Sequence, residues 1–178
     1  MKNNNIIYYK TTYKSPLGEL TIASDTDNIT GVWLEGQKYF EESIKDNTVY
    51  ENNNLKVLIQ TKEWLNRYFN KETPEISEIP MAPAGTHFQL DVWNILCKIP
   101  YGKTMTYKEI AEILANKYNK KSMSAQAVGG AVGHNPISII IPCHRVIGSN
   151  GKLTGYAGGL NNKIKLLKLE NEDFKEKF

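Results

Sequence analysis

Two hydrophobic rhythms run along this chain. In its first third the apolar residues come in short β-like runs. Ile6-Ile7-Tyr8-Tyr9 and Leu20-Thr21-Ile22 flank the turn residues Ser15-Pro16-Leu17-Gly18, and Asp25-Thr26-Asp27-Asn28 separates them from Ile29-Thr30-Gly31-Val32-Trp33-Leu34. This pattern predicts a small antiparallel meander. Helical spacing follows, over 38–45 and more strongly over 57–69, where Leu58, Leu65, Tyr68 and Phe69 fall on one face. Pro74, Pro80 and Pro83 then crowd a connector from Glu72 to Gly85, which predicts a boundary between domains at 1–85 and 86–178.

Beyond the connector the helix signals sharpen. Thr86 and Gln89 have capping-box spacing, with Phe88, Val92, Ile95 and Leu96 at helical intervals behind them. Pro100-Tyr101-Gly102 closes that helix. Thr106 and Glu109 open a second, through Ile110, Ala111, Ile113 and Leu114, and Ser124 opens a third, through Ala127, Val128 and Ala131. The third carries Gly129-Gly130, and each interior glycine costs about 1 kcal/mol relative to alanine. Close approach of another backbone would justify that cost. Ser138-Ile139-Ile140-Ile141 reads as a strand, 148–159 as a glycine-rich loop, and 163–170 as a last helix. The predicted class is α+β, a small antiparallel sheet with helices followed by a mostly helical half.

Composition narrows the setting. The longest apolar stretch, near Ile139-Ile140-Ile141, is far short of the ~20 residues a membrane span needs. Met1-Lys2-Asn3-Asn4-Asn5 leads into no long hydrophobic region, so no signal peptide is expected. The two cysteines, Cys97 and Cys143, form neither a disulfide framework nor a paired-thiol metal site, which points to a reduced, cytoplasmic protein. A formal charge of +3 conceals an asymmetry. Residues 1–85 hold 9 Lys or Arg against 12 Asp or Glu, whereas residues 86–178 hold 13 against 7. Such a basic half suits a polyanion partner, and it equally suits a lysine coat that keeps the protein soluble.

Reactive side chains concentrate in Ile141-Pro142-Cys143-His144-Arg145-Val146. A cysteine attacks as its thiolate, and neighbouring His or Arg lowers its pKa. On a strand, however, adjacent side chains point to opposite faces, so His144 serves Cys143 only if the backbone bends. A buried structural cysteine remains the alternative. Cys97, on a helix with no histidine near in sequence, reads as a packing residue, and His87 as a capping or surface residue. No histidine has metal-ligand spacing to a cysteine or carboxylate, so neither metal nor cofactor is expected.

These residues carry a specific resemblance. Asn135-Pro136, Ile141-Pro142-Cys143-His144-Arg145-Val146 and Gly155-Tyr156-Ala157-Gly158-Gly159-Leu160 are similar to the signature of the O6-alkylguanine-DNA alkyltransferases. Tyr107 and Ala127-Val128-Gly129-Gly130-Ala131 match upstream, and Leu166-Leu167-Lys168-Leu169-Glu170 matches the closing helix. The likeness covers residues 86–171; the first half resembles the family's variable, ribonuclease-H-like N-terminal domain only in length and strand-rich character.

The resemblance implies a single-turnover DNA repair enzyme. Cys143 takes the alkyl group from O6 of a methylated guanine, with O4-methylthymine as a possible second substrate, and keeps it. His144 draws off the cysteine proton through a water and Glu170 orients His144. Tyr107 donates a proton to the leaving guanine, and Asn135 holds the turn before the active-site segment. The helices over 106–115 and 124–133 resemble a helix-turn-helix that meets the minor groove of double-stranded DNA, with the damaged base flipped out. Ala127, Gly129, Arg145, Val146, Tyr156, Ala157 and Gly158 then fall at substrate or DNA positions, and the implied unit is a monomer. Three departures stand out. Gln126 replaces the arginine that relatives insert into the duplex, Ala157 replaces a serine found in some relatives, and the zinc ligands of some N-terminal domains are missing. Two rivals are a helix-turn-helix regulator that uses Cys143 structurally or as an alkylation sensor, and a Cys–His hydrolase.

Overall fold

The computed structural model describes residues 6–177 and comprises two compact units. The leading Met1-Lys2-Asn3-Asn4-Asn5, read above for a signal peptide, lies outside the described residues. One unit takes in the chain up to Ala84 together with Pro136–Ser138; the other takes in Gly85–Asn135 and the chain from Ile139 onward.

In the first unit the meander forms as predicted: β1 (Ile7–Ser15), β2 (Gly18–Ser24) and β3 (Ile29–Leu34) pair antiparallel in sequence order. A fourth strand, β4 (Thr48–Glu51), adds in parallel to the free side of β1, giving the order β3-β2-β1-β4. That strand was not anticipated, because Thr48-Val49-Tyr50-Glu51 is too short to show a period. The helix expected over 38–45 is absent. The chain there runs through successive turns, with Tyr39 and Glu41 at φ of 62° and 53°, conformations that end any helix. Helix α1 (Lys56–Phe69) lies against β1 and β2 and buries Leu58, Thr61, Trp64, Leu65 and Tyr68, while Phe69 stays half-buried. The connector is ordered: Ile29 N–H donates to Pro80 O and Ala82 N–H to Ile29 O, at 2.8 and 2.9 Å. The outer edge of β3 is also lined by the late segment, with Val32 N–H donating to Pro136 O at 2.8 Å and Ser138 N–H to Val32 O at 2.9 Å.

In the second unit both predicted capping boxes form. Thr86 and Gln89 open α2 (His87–Leu96), and Thr106 and Glu109 open α3 (Tyr107–Lys117). Ser124 caps α4 (Ala125–Gly133), and the three helices pack on one another through Val92, Leu96, Ile110, Leu114, Val128 and Ala131. Trp93 Nε1–H donates to Ala131 O at 2.9 Å and ties α2 to α4. Cys97 is the half-buried residue that ends α2. Short β5 (Met105–Thr106) pairs in parallel with β6 (Val146–Ile147), and α5 (Leu160–Glu170) starts three residues earlier than its spacing suggests.

The strand expected over 138–141 is also corrected. Residues 138–140 form a turn and Ile139 sits at φ 73°, a conformation that a β-branched residue adopts only under strong constraint. Its side chain is buried, as are those of Ile140 and Ile141, so burial rather than strand pairing explains this apolar run.

Candidate active site

The bend that Cys143 and His144 require is present. Pro142 leads into a single tight turn, Cys143–Arg145, closed by Arg145 N–H donating to Pro142 O at 3.0 Å. Such a turn rotates successive side chains by about 120°, so Cys143, His144 and Arg145 leave the backbone in three directions. Asn135 is buried beside it and donates through Nδ2 to Ile141 O at 2.9 Å, which fixes the approach to the turn. β6 follows at once, so the Val146 backbone is held by β5.

His144 and Arg145 both end on Glu170, the last residue of α5. His144 Nε2 lies 2.6 Å from Oε1, Arg145 donates through Nε to Oε2 at 2.8 Å and through its terminal nitrogen to Oε1 at 3.0 Å, and Gly102 N–H reaches Oε2 at 3.1 Å. Gly102 is suited to that place: its φ is 73°, and a Cβ there would come within 2.9 Å of the Glu170 carbonyl oxygen. Burial alone would raise the Glu170 carboxyl, but His144 and Arg145 outweigh it and hold the group far below the usual carboxylate range.

Burial lowers the proton affinity of His144 despite the opposing pull of Glu170, so the imidazole rests neutral. An ionised carboxylate has no proton to give, so Nε2 carries the hydrogen and donates it to Glu170. Nδ1 is then the basic nitrogen. Cys143 is almost fully buried, and burial raises its thiol pKa. Hydrogen bonding by Asn135, the charge of Lys163, a backbone N–H and hydrogen bonding by Tyr156 oppose that shift without cancelling it. A protonated thiol beside a neutral histidine is the starting state for base-assisted nucleophilic attack.

Tyr107, the first residue of α3, places its hydroxyl 3.2 Å from Thr154 Oγ1, which donates to it. Burial raises the phenol pKa against the opposing Thr154 hydrogen bond, and a Cys143 thiolate adds to the rise once it forms, so at neutral pH Tyr107 holds a proton that it can give.

The structure therefore brings Cys143, His144, Glu170, Asn135, Tyr156 and Tyr107 into one electrostatic neighbourhood. Ala157 and Gly158 lie in the half-buried turn before α5, while Gln126 and Ala127 stand exposed on α4 with Gly129 half-buried behind them. The Arg145 guanidinium is buried, bound to Glu170 and to Ile99 O at 2.5 Å, and lies over the Tyr101 ring. Reading the sequence missed Gly102, Thr154 and Lys163. For Lys163 a signal existed, since Lys163, Leu166, Leu167 and Glu170 share the buried stripe of α5. A lysine on that stripe is out of place unless it has a task. Among the described residues, no group of three His, Cys, Asp or Glu side chains converges to hold a metal ion, and no helix is long and apolar enough to cross a membrane.

Comparison with known proteins adds a second line of evidence. The family described as "6-O-methylguanine DNA methyltransferase, DNA binding domain" matches residues 87–172, and its "ribonuclease-like domain" matches residues 8–83. A methylated-DNA–protein-cysteine methyltransferase of Haemophilus influenzae is 41% identical over 95% of this chain and 89% of its own length. One from Methanosarcina acetivorans is 43% identical over 91% and 97%. The crystal structure of Mycobacterium tuberculosis OGT in complex with DNA superposes with a TM-score of 0.79 at 39% identity, covering 94% of each chain.

Proposed function

The chain belongs to the 6-O-methylguanine DNA methyltransferase family, and we propose that it repairs DNA by moving the methyl group of O6-methylguanine onto Cys143. The observation that carries this assignment to the residue is the Cys143 thiol adjoining a neutral His144 that is locked to a buried, ionised Glu170.

In the proposed reaction the Cys143 proton passes to His144 Nδ1 through a water. The imidazolium so formed faces the Glu170 carboxylate, and Arg145 and Gly102 keep that carboxylate in place. The thiolate attacks the methyl carbon as the bond from that carbon to O6 breaks. The electron pair stays with the guanine, and the Tyr107 proton neutralises it. The products are S-methylcysteine and unmodified guanine. The carbon–sulfur bond of the thioether is stable to water, so the methyl group stays on Cys143 and each protein acts once. Mixing the protein with duplex DNA containing O6-methylguanine should consume one lesion per protein and raise the mass of the Cys143 peptide by one methyl group. Repeated turnover, or lesion loss with no mass change, would overturn the assignment.

For DNA engagement, α3 and α4 act as a helix-turn-helix with α4 against the minor groove, and the damaged nucleotide is turned out of the stack to reach Cys143. The exposed small residues of α4 support this placement. A Cβ added at Gly130 meets no atom of the chain within 4 Å, so packing within the protein does not require glycine there. Gly130→Ala should therefore leave the fold intact, or stabilise it by about 0.5–1 kcal/mol, while weakening duplex binding. Gln126→Arg should tighten binding and steepen its salt dependence by about one counterion. Titrations of a labelled duplex at several salt concentrations measure both; a stronger-binding Gly130→Ala or an unchanged slope for Gln126→Arg would displace α4 from the DNA face. The two free cysteines fit action as a monomer in the reducing cytoplasm.

A further inference from the structure

Asp91 is a buried carboxylate on α2, and the reaction just described makes no use of it. Its partners sit where α3 ends. Lys117, the last residue of α3, donates through Nζ to Oδ1, and Tyr118, which caps that helix, donates through its hydroxyl to Oδ2 at 2.5 Å. His87 Nε2, one turn back on α2, lies 3.5 Å from Oδ2. Hydrogen bonding by Lys117 and then by Tyr118 holds the Asp91 carboxyl below the usual carboxylate range, although burial opposes the shift. Further along α2, Trp93 holds α4 through Ala131 O. One helix thus grips both the end of α3 and the body of α4.

The connector between those helices, 118–124, is longer than the turn of about 3–4 residues that usually joins a helix-turn-helix. A longer turn leaves more conformations open to the second helix, and binding must then supply the ordering. Here the start of the connector is built: Asn119 takes φ 52° and Lys120 N–H returns to Ala115 O at 2.9 Å. We infer that Asp91 is a positioning residue for DNA docking: by clasping Lys117 and Tyr118 it fixes where the connector leaves α3 and so presets α4 for the duplex. The inference rests on the assignment of α4 to the DNA face. Charge alone predicts the opposite sign. Lys117 is half-exposed, so removing the Asp91 carboxylate would leave one more uncompensated cation beside a polyanion and tighten binding. Weaker binding therefore reports lost preorganisation, not lost charge.

Two variants of the full chain separate this role from simple packing. Asp91→Asn removes the charge and keeps the shape, and Tyr118→Phe removes one hydrogen bond and changes no charge. Each is titrated with an unmodified labelled duplex at several salt concentrations, well below its melting temperature. Single-turnover methyl transfer from a duplex containing O6-methylguanine is followed at limiting and at saturating protein. Asp91→Asn should bind the duplex about tenfold more weakly and Tyr118→Phe about threefold, the range expected for two or one lost hydrogen bonds. Tyr118→Phe should leave the salt slope where it was. The transfer rate at saturation should stay within about twofold of the parent's in both, the signature of a defect in binding alone.

Parent-like binding in both variants, with only a lower melting temperature, would reduce Asp91 to a structural tie and overturn the inference. Tighter binding by Asp91→Asn would show that DNA senses its charge and not its grip, and overturns it too. So does a saturating rate that falls while binding holds, which places the defect in the active site. If Asp91→Asn does not fold, Tyr118→Phe decides: unchanged binding overturns the inference. Gln126→Arg in the same titration tests the reading beneath it. An unchanged salt slope there removes α4 from the DNA face and the inference with it. A steepened slope beside parent-like binding by Asp91→Asn and Tyr118→Phe refutes the inference alone.

Discussion

Glu170→Gln is expected to slow methyl transfer by about a hundredfold or more and to lower the melting temperature by about 10 °C. The size of both effects follows from how many groups converge on one carboxylate. His144 Nε2, two nitrogens of Arg145 and the N–H of Gly102 all point at it. A glutamine offers one acceptor oxygen and turns an NH2 toward groups that are themselves donors. Arg145 is then left buried with its charge uncompensated, a defect worth about 3–5 kcal/mol. His144 loses the hydrogen bond that fixes its tautomer and the negative charge that stabilises its imidazolium. The pH dependence has a definite sign. The native carboxyl is held below its unfolded value, so its contribution is full above pH about 4.3 and is lost as the pH falls toward the native pKa. The gap between parent and variant melting temperatures should therefore narrow below pH about 4. Thermal melts across that range, with single-turnover assays at neutral pH, check the prediction; an unchanged rate and an unchanged melting temperature would remove Glu170 from both roles.

Cys143→Ser should abolish transfer and spare duplex binding, whereas Cys97→Ser should spare both. A serine hydroxyl ionises far above the thiol and is a poor nucleophile toward an alkyl carbon, so His144 has no reactive atom to activate. The two cysteines share some features, since burial raises the thiol pKa of each and a nearby cation, Lys163 for Cys143 and Arg145 for Cys97, opposes the rise without cancelling it. What separates them is place. Cys143 opens the turn that carries His144, and Asn135 braces the approach to that turn through Ile141 O, while Cys97 ends α2. Duplex binding is assigned to α4, and replacing sulfur by oxygen in the buried turn leaves that helix untouched. Mass analysis of the lesion reaction reads the first effect and a binding titration the second. Equal loss in the two variants would show that the thiols do not differ in role.

The parts of this molecule that were legible in the sequence are those specified by local chemistry. Thr86, Thr106 and Ser124 announce their helices because a capping side chain satisfies N–H groups only three residues away. Cys143 and His144 were legible through the resemblance and through their adjacency. The parts that were not legible depend on partners distant in sequence. Arg145 reads in the sequence as a cationic neighbour of Cys143, and its partner Glu170 lies 25 residues later. Ile139-Ile140-Ile141 has strand composition, yet tertiary packing forces Ile139 to positive φ and bends the run. β4 is too short to show a period, and its pairing with β1 is parallel and non-local.

The residues that line β3 also bear on how the chain is made. Pro136 comes 104 residues after Val32, its partner at the outer edge of the sheet. At roughly 5–20 residues per second, a ribosome needs roughly 5–20 s to deliver it. For that interval the nascent sheet carries an open strand edge, the kind of surface that recruits other strands. The same stretch of message that encodes the approach to Cys143 therefore also closes the Val32 end of that edge.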